Sequence, residues 1–166
     1  MSGIRVGVVV VSDKASSGER PDGCAGALAA VLPPGASLAE RLIVPDEIAA
    51  IRSAVTAMAD GGRVDVVLTA GGTGLSPRDV TPEALAPLMG KNLPGIGELI
   101  RMKGFESKPT AILSRAVAGT RGRVVIIALP GSPLGAAESL SLVWPAIPHA
   151  LETLRGEARE CAGKTD

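Results

Sequence analysis

A glycine-rich segment followed by two charged residues is the part of this sequence best suited to chemistry. It contains Gly71, Gly72 and Gly74, and then Arg78 and Asp79. Glycine accepts left-handed backbone angles and lets main-chain N–H groups approach an anion without a Cβ in the way. Arginine can fork onto phosphate oxygens, and a carboxylate beside a phosphate is a natural ligand for magnesium. We therefore predict a phosphate site here, with a solvated Arg78–Asp79 surface pair as the alternative.

The residues on either side indicate how this segment is held. The apolar residues Val64, Val66, Val67 and Leu68 form a valine-rich run that is too short for a surface helix, so they predict a strand buried in a parallel sheet. After the glycines, Thr81 is predicted as a helix N-cap, with Pro82 at the first helical position and Glu83 in the first turn. The positive end of that helix dipole then lies near the glycine loop.

The segment matches neither of the two common nucleotide fingerprints. A Walker loop requires Gly-Lys-Ser/Thr after its glycines, and the dinucleotide fingerprint requires G-x-G-x-x-G. Here the glycines are followed by Leu75, Ser76, Pro77 and Arg78. A glycine turn after a strand is weak evidence by itself, because many such turns only connect elements.

Size, charge and cysteine content limit the classes of function. The chain has 166 residues, with 17 Lys and Arg against 17 Asp and Glu. That length predicts one domain, and the balanced charge predicts neither nucleic acid nor a membrane surface as a partner. Cys24 and Cys161 lie far apart and His149 stands alone, so no zinc-type cluster is expected. The first valine run is too short to span a bilayer and no signal-peptide pattern is present, so we expect a cytoplasmic protein.

The hydrophobic pattern alternates strands with helices along the chain. Besides the strand before the glycines, strands are predicted at Ile4–Val11, Leu38–Val44 and Val124–Leu129, and helices at Cys24–Leu32, from Asp46 as cap to Gly61, and through Leu134–Leu154 with bends at Pro145 and Pro148. Repeated strand–helix–strand units imply a mostly parallel sheet with helices on both faces.

Ligands of such sheets collect at the carboxyl ends of the strands. That rule places four segments along one edge: the polar loop from Ser12 to Gly18, the Pro45–Asp46 turn, the glycine loop and the Pro130–Ser132 turn.

Five separated motifs in this order resemble the molybdenum cofactor biosynthesis family of MogA and MoaB, which is related to the G domain of gephyrin and its plant counterpart. The motifs are VVVSDKASSG near the start, Pro45–Glu47, GGTG followed by PRDVTPEA, TAILSR at Thr110–Arg115 and LPGSP at Leu129–Pro133. The resemblance covers nearly the whole chain. Five motifs in order are far more specific than any one of them.

The resemblance implies a three-layer α/β/α domain over residues 1–155, followed by a polar tail over 156–166. Active members bind molybdopterin and transfer AMP from Mg-ATP onto the terminal phosphate of the pterin, so Mg²⁺ is the implied cofactor and ATP and molybdopterin are the substrates. The family also implies a homotrimer and handover of the product to a molybdate-inserting protein.

Residue roles follow from the same resemblance. Asp46 and Asp79 match the aspartates that the family uses around metal and phosphate, although an aspartate before a helix is ordinarily a cap worth about 1 kcal/mol. Ser12 and Ser114 are implied hydroxyl donors, with local capping as the alternative. Arg115 belongs to a basic group in the later third of the chain that is predicted mainly as a solvated face, although from TAILSR it could reach a phosphate. The nucleotide- and pterin-binding residues implied are Ser12, Gly71, Gly72, Thr73, Gly74, Arg78, Ser114, Pro130, Gly131 and Ser132.

Aromatic residues are nearly absent, which restricts how a base could be held. Phe105 and Trp144 are the two aromatics and there is no tyrosine, so adenine or pterin cannot be sandwiched between rings. Trp144 is predicted to lie in the core or at a subunit contact. For the trimer, part of the apolar surface is assigned to Leu142, Val143, Trp144, Ile147 and Leu151, with plain core as the alternative.

Three other functions remain open at this point. A MoaB-type protein would keep the fold and the pocket with a weak or different activity. The related domain of competence-damage proteins hydrolyses nucleotide-sugar pyrophosphates. A non-catalytic scaffold module would keep only the trimer.

Overall fold

A six-stranded sheet forms the centre of the protein in the computed structural model, which describes residues 3–157. Its strands are β1 (Ile4–Val11), β2 (Ala36–Val44), β3 (Val66–Ala70), β4 (Lys91–Asn92), β5 (Ala118–Arg121) and β6 (Val124–Leu129), in the order β2-β1-β3-β6-β5-β4. The first four strands in that order are parallel, while β5 runs antiparallel to β6 and to β4. The predicted mostly parallel sheet is confirmed, with a short antiparallel edge that the hydrophobic pattern missed.

Helices cover both faces of the sheet, giving the expected three layers. They are α1 (Asp13–Ser16), α2 (Cys24–Ala30), α3 (Ile48–Asp60), α4 (Thr81–Leu85), α5 (Pro94–Ser107), α6 (Pro133–Val143) and α7 (Ile147–Arg155). Short 3₁₀ turns follow at Ala86–Leu88, Pro109–Leu113 and Trp144–Ala146. Side chains of α2, α6 and α7 pack on one face, and those of α3 and α4 pack on the other.

The valines of β1 explain why the sheet is covered on both sides. Val6, Val8 and Val10 enter one core cluster, whereas Val9 and Val11 enter the other. All five are at most 4% exposed. Alternate residues of a strand point to opposite faces, so an unbroken valine run requires helices on both.

Three local predictions are wrong, and each error lies at the carboxyl edge of the sheet. The N-cap of α3 is Glu47 rather than Asp46, and the N-cap of α4 is Val80 rather than Thr81. The polar loop after β1 contains the one-turn helix α1, which Ser12 caps by accepting a hydrogen bond from the N–H of Ala15. The side chains of Asp46 and Thr81 make contacts across the edge instead.

The carboxyl-terminal helices bury four of the five residues that were assigned to assembly. Val143, Trp144, Ile147 and Leu151 are at most 8% exposed in the single chain, so for these four residues the trimer surface is wrong and the alternative of plain core is confirmed. These side chains complete the core against β6 and α2. Leu142, the fifth residue of the predicted surface, is partly exposed. The homotrimer itself stays a prediction.

Two further predictions concern location and the tail. None of the helices in the described part of the chain has both the length and the apolar character that a bilayer crossing requires. The cytoplasmic location stays a prediction. Cys24 is buried as expected, while Cys161 and most of the polar tail lie outside the described residues.

Candidate active site

Two neighbouring cavities lie at the carboxyl edge of the parallel strands. The larger one, about 790 Å³, lies between the glycine loop, α5, α6 and the 3₁₀ turn at Pro109–Leu113. The smaller one, about 560 Å³, lies between the glycine loop, the end of β1 and the start of α2. Both are lined by Gly72, Asp79, Gly131 and Ser132.

Nearly all the residues predicted from sequence line one of these cavities. Thr73, Gly74, Ser114 and Pro130 line the larger cavity in addition to the four shared residues. Ser12, Asp46 and Gly71 line the smaller one. Arg78 lines neither of the two, and neither does Arg115.

The glycine turn depends on glycine at its first two positions for both conformation and space. Gly71 has a φ of 114° and Gly72 a φ of 66°, in the left-handed region. A Cβ at Gly71 would lie 2.2 Å from the carbonyl oxygen of Val11, and one at Gly72 would lie 2.3 Å from Oγ1 of Thr81. The Thr81 hydroxyl donates a 2.8 Å hydrogen bond to the carbonyl of Gly71, which fixes the turn to α4.

Gly74 leaves room for the side chain of Asp79. Its φ is not positive, contrary to prediction, but a Cβ there would lie 2.8 Å from Oδ2 of Asp79. The same Asp79 oxygen accepts a hydrogen bond from the N–H of Ser76 at 2.8 Å. The Asp79 carboxylate thus lies folded back against the glycine loop.

The second turn of the site, at Gly131 and Ser132, touches the first. A Cβ at Gly131 would lie 3.1 Å from the Cα of Gly71. Ser132 caps α6, because its Oγ accepts a hydrogen bond from the N–H of Gly135 at 3.2 Å. The positive end of α6 therefore faces the lining that the two cavities share.

Asp13 and Asp46 exchange hydrogen bonds across the smaller cavity's rim. The N–H of Asp13 donates to Oδ2 of Asp46 at 2.8 Å, and the N–H of Asp46 donates to Oδ1 of Asp13 at 3.0 Å. Arg78 then forks onto the Asp13 carboxylate, with Nε and Nη2 at 2.9 and 2.8 Å. Arg78 is therefore paired with Asp13, so the alternative of an Arg78–Asp79 surface pair is wrong.

Sequence reasoning did not name Asp13 as a site residue. The available signal was its position directly after Ser12 at the end of β1, on the edge where ligands collect. Asp13 and Asp46 are 33 residues apart in the sequence, and no repeating pattern of residues indicates that they are in contact.

The electrostatics of these aspartates differ. Burial raises the pKa of Asp46, and the negative charges of Asp13 and Asp79 add to that rise against the hydrogen bond from Asp13. The side-chain hydrogen bonds from Arg78 lower the pKa of Asp13, helped by the N–H of Asp46. Asp46 is thus a carboxylate whose negative charge is poorly compensated by the protein, and a bound cation would stabilise it.

The carboxylates that line the smaller cavity suit a magnesium ion that arrives with phosphates. Within residues 3–157, no three His, Cys, Asp or Glu side chains converge to form a ready-made metal cage. Asp46 and Asp79 both line the smaller cavity. Magnesium usually takes one or two protein carboxylates and completes its shell with water and substrate phosphates, which fits this pair.

Arg115 does not reach into the site as predicted. Its Nε donates to the carbonyl of Gly74 at 2.9 Å, its Nη2 donates to the carbonyl of Asp79 at 2.6 Å, and its Nη1 pairs with Glu83. Ser114, its neighbour, accepts a hydrogen bond from the N–H of Ala116 and still lines the larger cavity.

Several charged lining residues were not identified from the sequence. Lys103 and Lys108 line the larger cavity, and Arg20 and Asp22 line the smaller one. The lysines reach the cavity through the packing of α5 against the sheet, which the sequence pattern did not specify. Neither Phe105 nor Trp144 lines either of these two cavities, so a ring system bound in them would contact backbone groups and aliphatic walls.

Comparison with known proteins agrees with this geometry. Residues 7–149 match the family model described as a probable molybdopterin binding domain. The chain is 42% identical to the molybdopterin adenylyltransferase of Helicobacter pylori J99, covering 94% of this chain and 90% of the relative. It is 34% identical to the molybdopterin adenylyltransferase of Escherichia coli K12, covering 98% and 91%. The crystal structure of the molybdopterin biosynthesis enzyme MoaB from Thermus thermophilus is 48% identical with a TM-score of 0.86, covering 92% and 97%.

Proposed function

The chain belongs to the molybdopterin-binding family of MogA and MoaB, and we propose that it is a molybdopterin adenylyltransferase. In this reaction an oxygen of the terminal phosphate of molybdopterin attacks the α-phosphorus of ATP. A new P–O bond forms, the bond between the α-phosphorus and the bridging oxygen breaks, and pyrophosphate leaves. The protein is then a nucleotidyltransferase that uses Mg-ATP.

The observation that carries this proposal is a pair of neighbouring cavities with part of their lining in common. They share Gly72, Asp79, Gly131 and Ser132 and no other lining residue. A transfer between two bound substrates requires their reacting phosphates to meet in one place with the correct alignment. The shared wall is that place.

The groups at the shared wall suit phosphate. Gly72 lets the backbone approach closely, and Ser132 offers a hydroxyl group that can donate a hydrogen bond, next to the positive end of α6. These groups bind and orient the phosphates at the strand ends.

Asp46 and Asp79 would hold the magnesium ion between the protein and the phosphates. When bound, the ion supplies positive charge against the negative charge of the phosphates. The ionised Asp46, disfavoured in the free protein by burial and by its acidic neighbours, is stabilised by that cation. The reciprocal hydrogen bonds with Asp13 keep this carboxylate directed into the cavity.

A MoaB-type protein with weak or different activity is the second candidate, favoured by the likeness to the Thermus MoaB structure. The presence of Asp46 and Asp79 on the walls of the smaller cavity favours an enzyme over a non-catalytic scaffold. Assembly as a homotrimer and handover of the product to a molybdate-inserting protein remain part of the proposal.

Incubation of the purified protein with molybdopterin, ATP and magnesium tests the proposed reaction. Mass spectrometry should detect adenylated molybdopterin and pyrophosphate in equal amounts. ATP with a methylene group between its α- and β-phosphorus atoms is the control, because it can bind but cannot release pyrophosphate. If molybdopterin and ATP both bind and no adenylated product forms, the adenylyltransferase assignment is wrong.

A further inference from the structure

We propose that Arg115 is a positioning residue that clamps the 74–79 loop, Gly74 to Asp79, beside the lining that the two cavities share. The reaction it serves is the proposed adenylyl transfer, so the inference rests in part on that function. The clamp itself is a statement about the free protein and can be tested without substrate.

The guanidinium of Arg115 joins the two ends of the loop. Nε donates to the carbonyl of Gly74 at 2.9 Å and Nη2 donates to the carbonyl of Asp79 at 2.6 Å. The backbone N–H of Arg115 adds a bond to the carbonyl of Thr73 at 2.8 Å. Arg115 thus holds both ends of the loop, at Gly74 and at Asp79.

Within residues 3–157, few other contacts hold the tip of this loop. Leu75 is 65% exposed, so the tip gains little from apolar burial. Its own hydrogen bonds run between Ser76 and Asp79, and they shape the turn without fixing it to the sheet. The tip's outward contact is the exposed pair of Arg78 with Asp13, and exposed pairs are weak.

The third guanidinium nitrogen ties the clamp to a helix. Nη1 pairs with Glu83 in the first turn of α4. Thr81, at the start of the same helix, holds the glycine turn through its hydroxyl group. Arg115 therefore fixes the spacing between the glycine-turn N–H groups and the carboxylate of Asp79. Both belong to the shared wall, where a shift of about 1 Å can cost about 100-fold in rate.

Arginine is the residue type that this arrangement requires. Its planar group presents donors in a rigid fork, which here meets two carbonyls and a carboxylate at once. Lysine keeps the charge and most of the stem, but its single ammonium cannot span both carbonyls. Arg115→Lys is therefore a sharper test than removal of the whole side chain.

The experiment compares Arg115→Lys and Arg115→Gln with Arg121→Gln. Arg121 makes a two-pronged pair with Asp60 at 2.8 and 2.7 Å and is similarly exposed, 30% against 33% for Arg115. Its pair lines neither cavity. Hydrogen exchange of the amides in residues 74–80 is measured in the free protein, and turnover is measured at a temperature well below unfolding.

Both Arg115 variants should speed exchange in the loop by about tenfold or more, because the loop opens locally. Turnover should fall by about 100-fold. Arg121→Gln should leave loop exchange and turnover unchanged. Loop exchange that is unchanged in both Arg115 variants, or raised equally by Arg121→Gln, overturns the proposal.

Failure of the proposed function gives a different result. If the unmodified protein forms no adenylated pterin, the proposed function is wrong, while the exchange comparison still decides whether Arg115 holds the loop.

Discussion

An aspartate lies at each end of the parallel strands, and the surrounding residues shift the pKa values of these two carboxyl groups in opposite directions. Asp65 lies before β3 at the amino end with its side chain 9% exposed. It accepts hydrogen bonds from Arg5, through the backbone and the guanidinium, and from Arg155. Burial raises the pKa of Asp65, but the hydrogen bonds and charges of these arginines outweigh burial, so its pKa lies below the ordinary value.

Asp46 lies after β2 at the carboxyl end. There burial outweighs hydrogen bonding, so its pKa lies above the ordinary value. Its side chain accepts one backbone hydrogen bond, from Asp13, and burial together with the charges of Asp13 and Asp79 raises its pKa. The difference teaches that the compensation of charge by neighbouring groups, more than burial, distinguishes the structural carboxylate of Asp65 from the carboxylate of Asp46, which we propose to be functional. Asp65 fastens α7 to the sheet, whereas Asp46 is left ready for a cation that the protein does not supply.

The largest expected effect is the loss of turnover in Asp79→Asn. The change keeps the shape and one oxygen acceptor but removes the charge that would hold magnesium at the shared wall. We expect turnover to fall by about 1,000-fold while molybdopterin affinity changes little. Steady-state kinetics and direct pterin binding check both halves. Full activity in Asp79→Asn would refute its assignment to the reaction.

Gly72→Ala should disrupt the site at the carboxyl end of the strands by displacing the backbone of the glycine turn. The new Cβ would meet Oγ1 of Thr81 at 2.3 Å and Oδ1 of Asp46 at 3.3 Å, so the turn must move. ATP affinity should fall by about 100-fold, or nearly 3 kcal/mol. Gly62→Ala is the matched control, because Gly62 has a φ of 69° but nothing within 4 Å of a new Cβ. Equal ATP affinity in the two variants by calorimetry would make the glycine turn merely structural.

Asp65→Asn should weaken the amino end instead. We expect the free energy of unfolding to fall by about 1 to 3 kcal/mol at pH 7, less than for a fully buried pair since both arginines are partly exposed. Because the folded pKa is lowered, the ionised Asp65 stabilises the protein above its unfolded pKa of about 3.9, and this contribution is lost as pH falls through the folded value. The gap between the two proteins in urea unfolding should therefore shrink below about pH 4. A constant gap from pH 7 to pH 3 would contradict this account.

The smallest expected effect is on the stability of Asp46→Asn. Since the folded pKa of Asp46 is raised, its ionised form costs stability above the unfolded pKa, and asparagine removes that cost. Without magnesium, unfolding at pH 7 should show a change within about 0.5 kcal/mol or a slight gain. A large loss would mean that Asp46 is a structural carboxylate like Asp65.

The buried strands and the edge strands differ in how well the sequence predicts them. The buried strands were predicted well, because a short run of valines such as β1 favours an extended strand that is buried on both faces. The antiparallel strands β4 and β5 were missed, since Lys91–Asn92 is two residues long and Ala118–Arg121 has no apolar run. Short edge strands owe their structure to their neighbours rather than to their own composition.

The positions of the site residues were predicted better than their contacts. The rule for strand ends placed Asp46 and the glycine loop on one edge, as found. The partners of Asp46, Thr81 and Arg115 were wrong or missed, because a cap, a phosphate ligand and a loop clamp use the same residue types. Tertiary contacts decide between them, such as the approach of Arg115 to Gly74, 41 residues away in sequence.

The most direct test of the account measures Asp46→Asn and Asp65→Asn side by side. Each variant is assayed for adenylated molybdopterin formed from Mg-ATP, at a temperature where both are folded, and for its free energy of unfolding in urea. The account predicts that Asp46→Asn loses turnover by orders of magnitude and keeps its stability, while Asp65→Asn keeps its turnover and loses stability. Full turnover in Asp46→Asn, or a loss of turnover in both variants that follows their loss of stability, would contradict it.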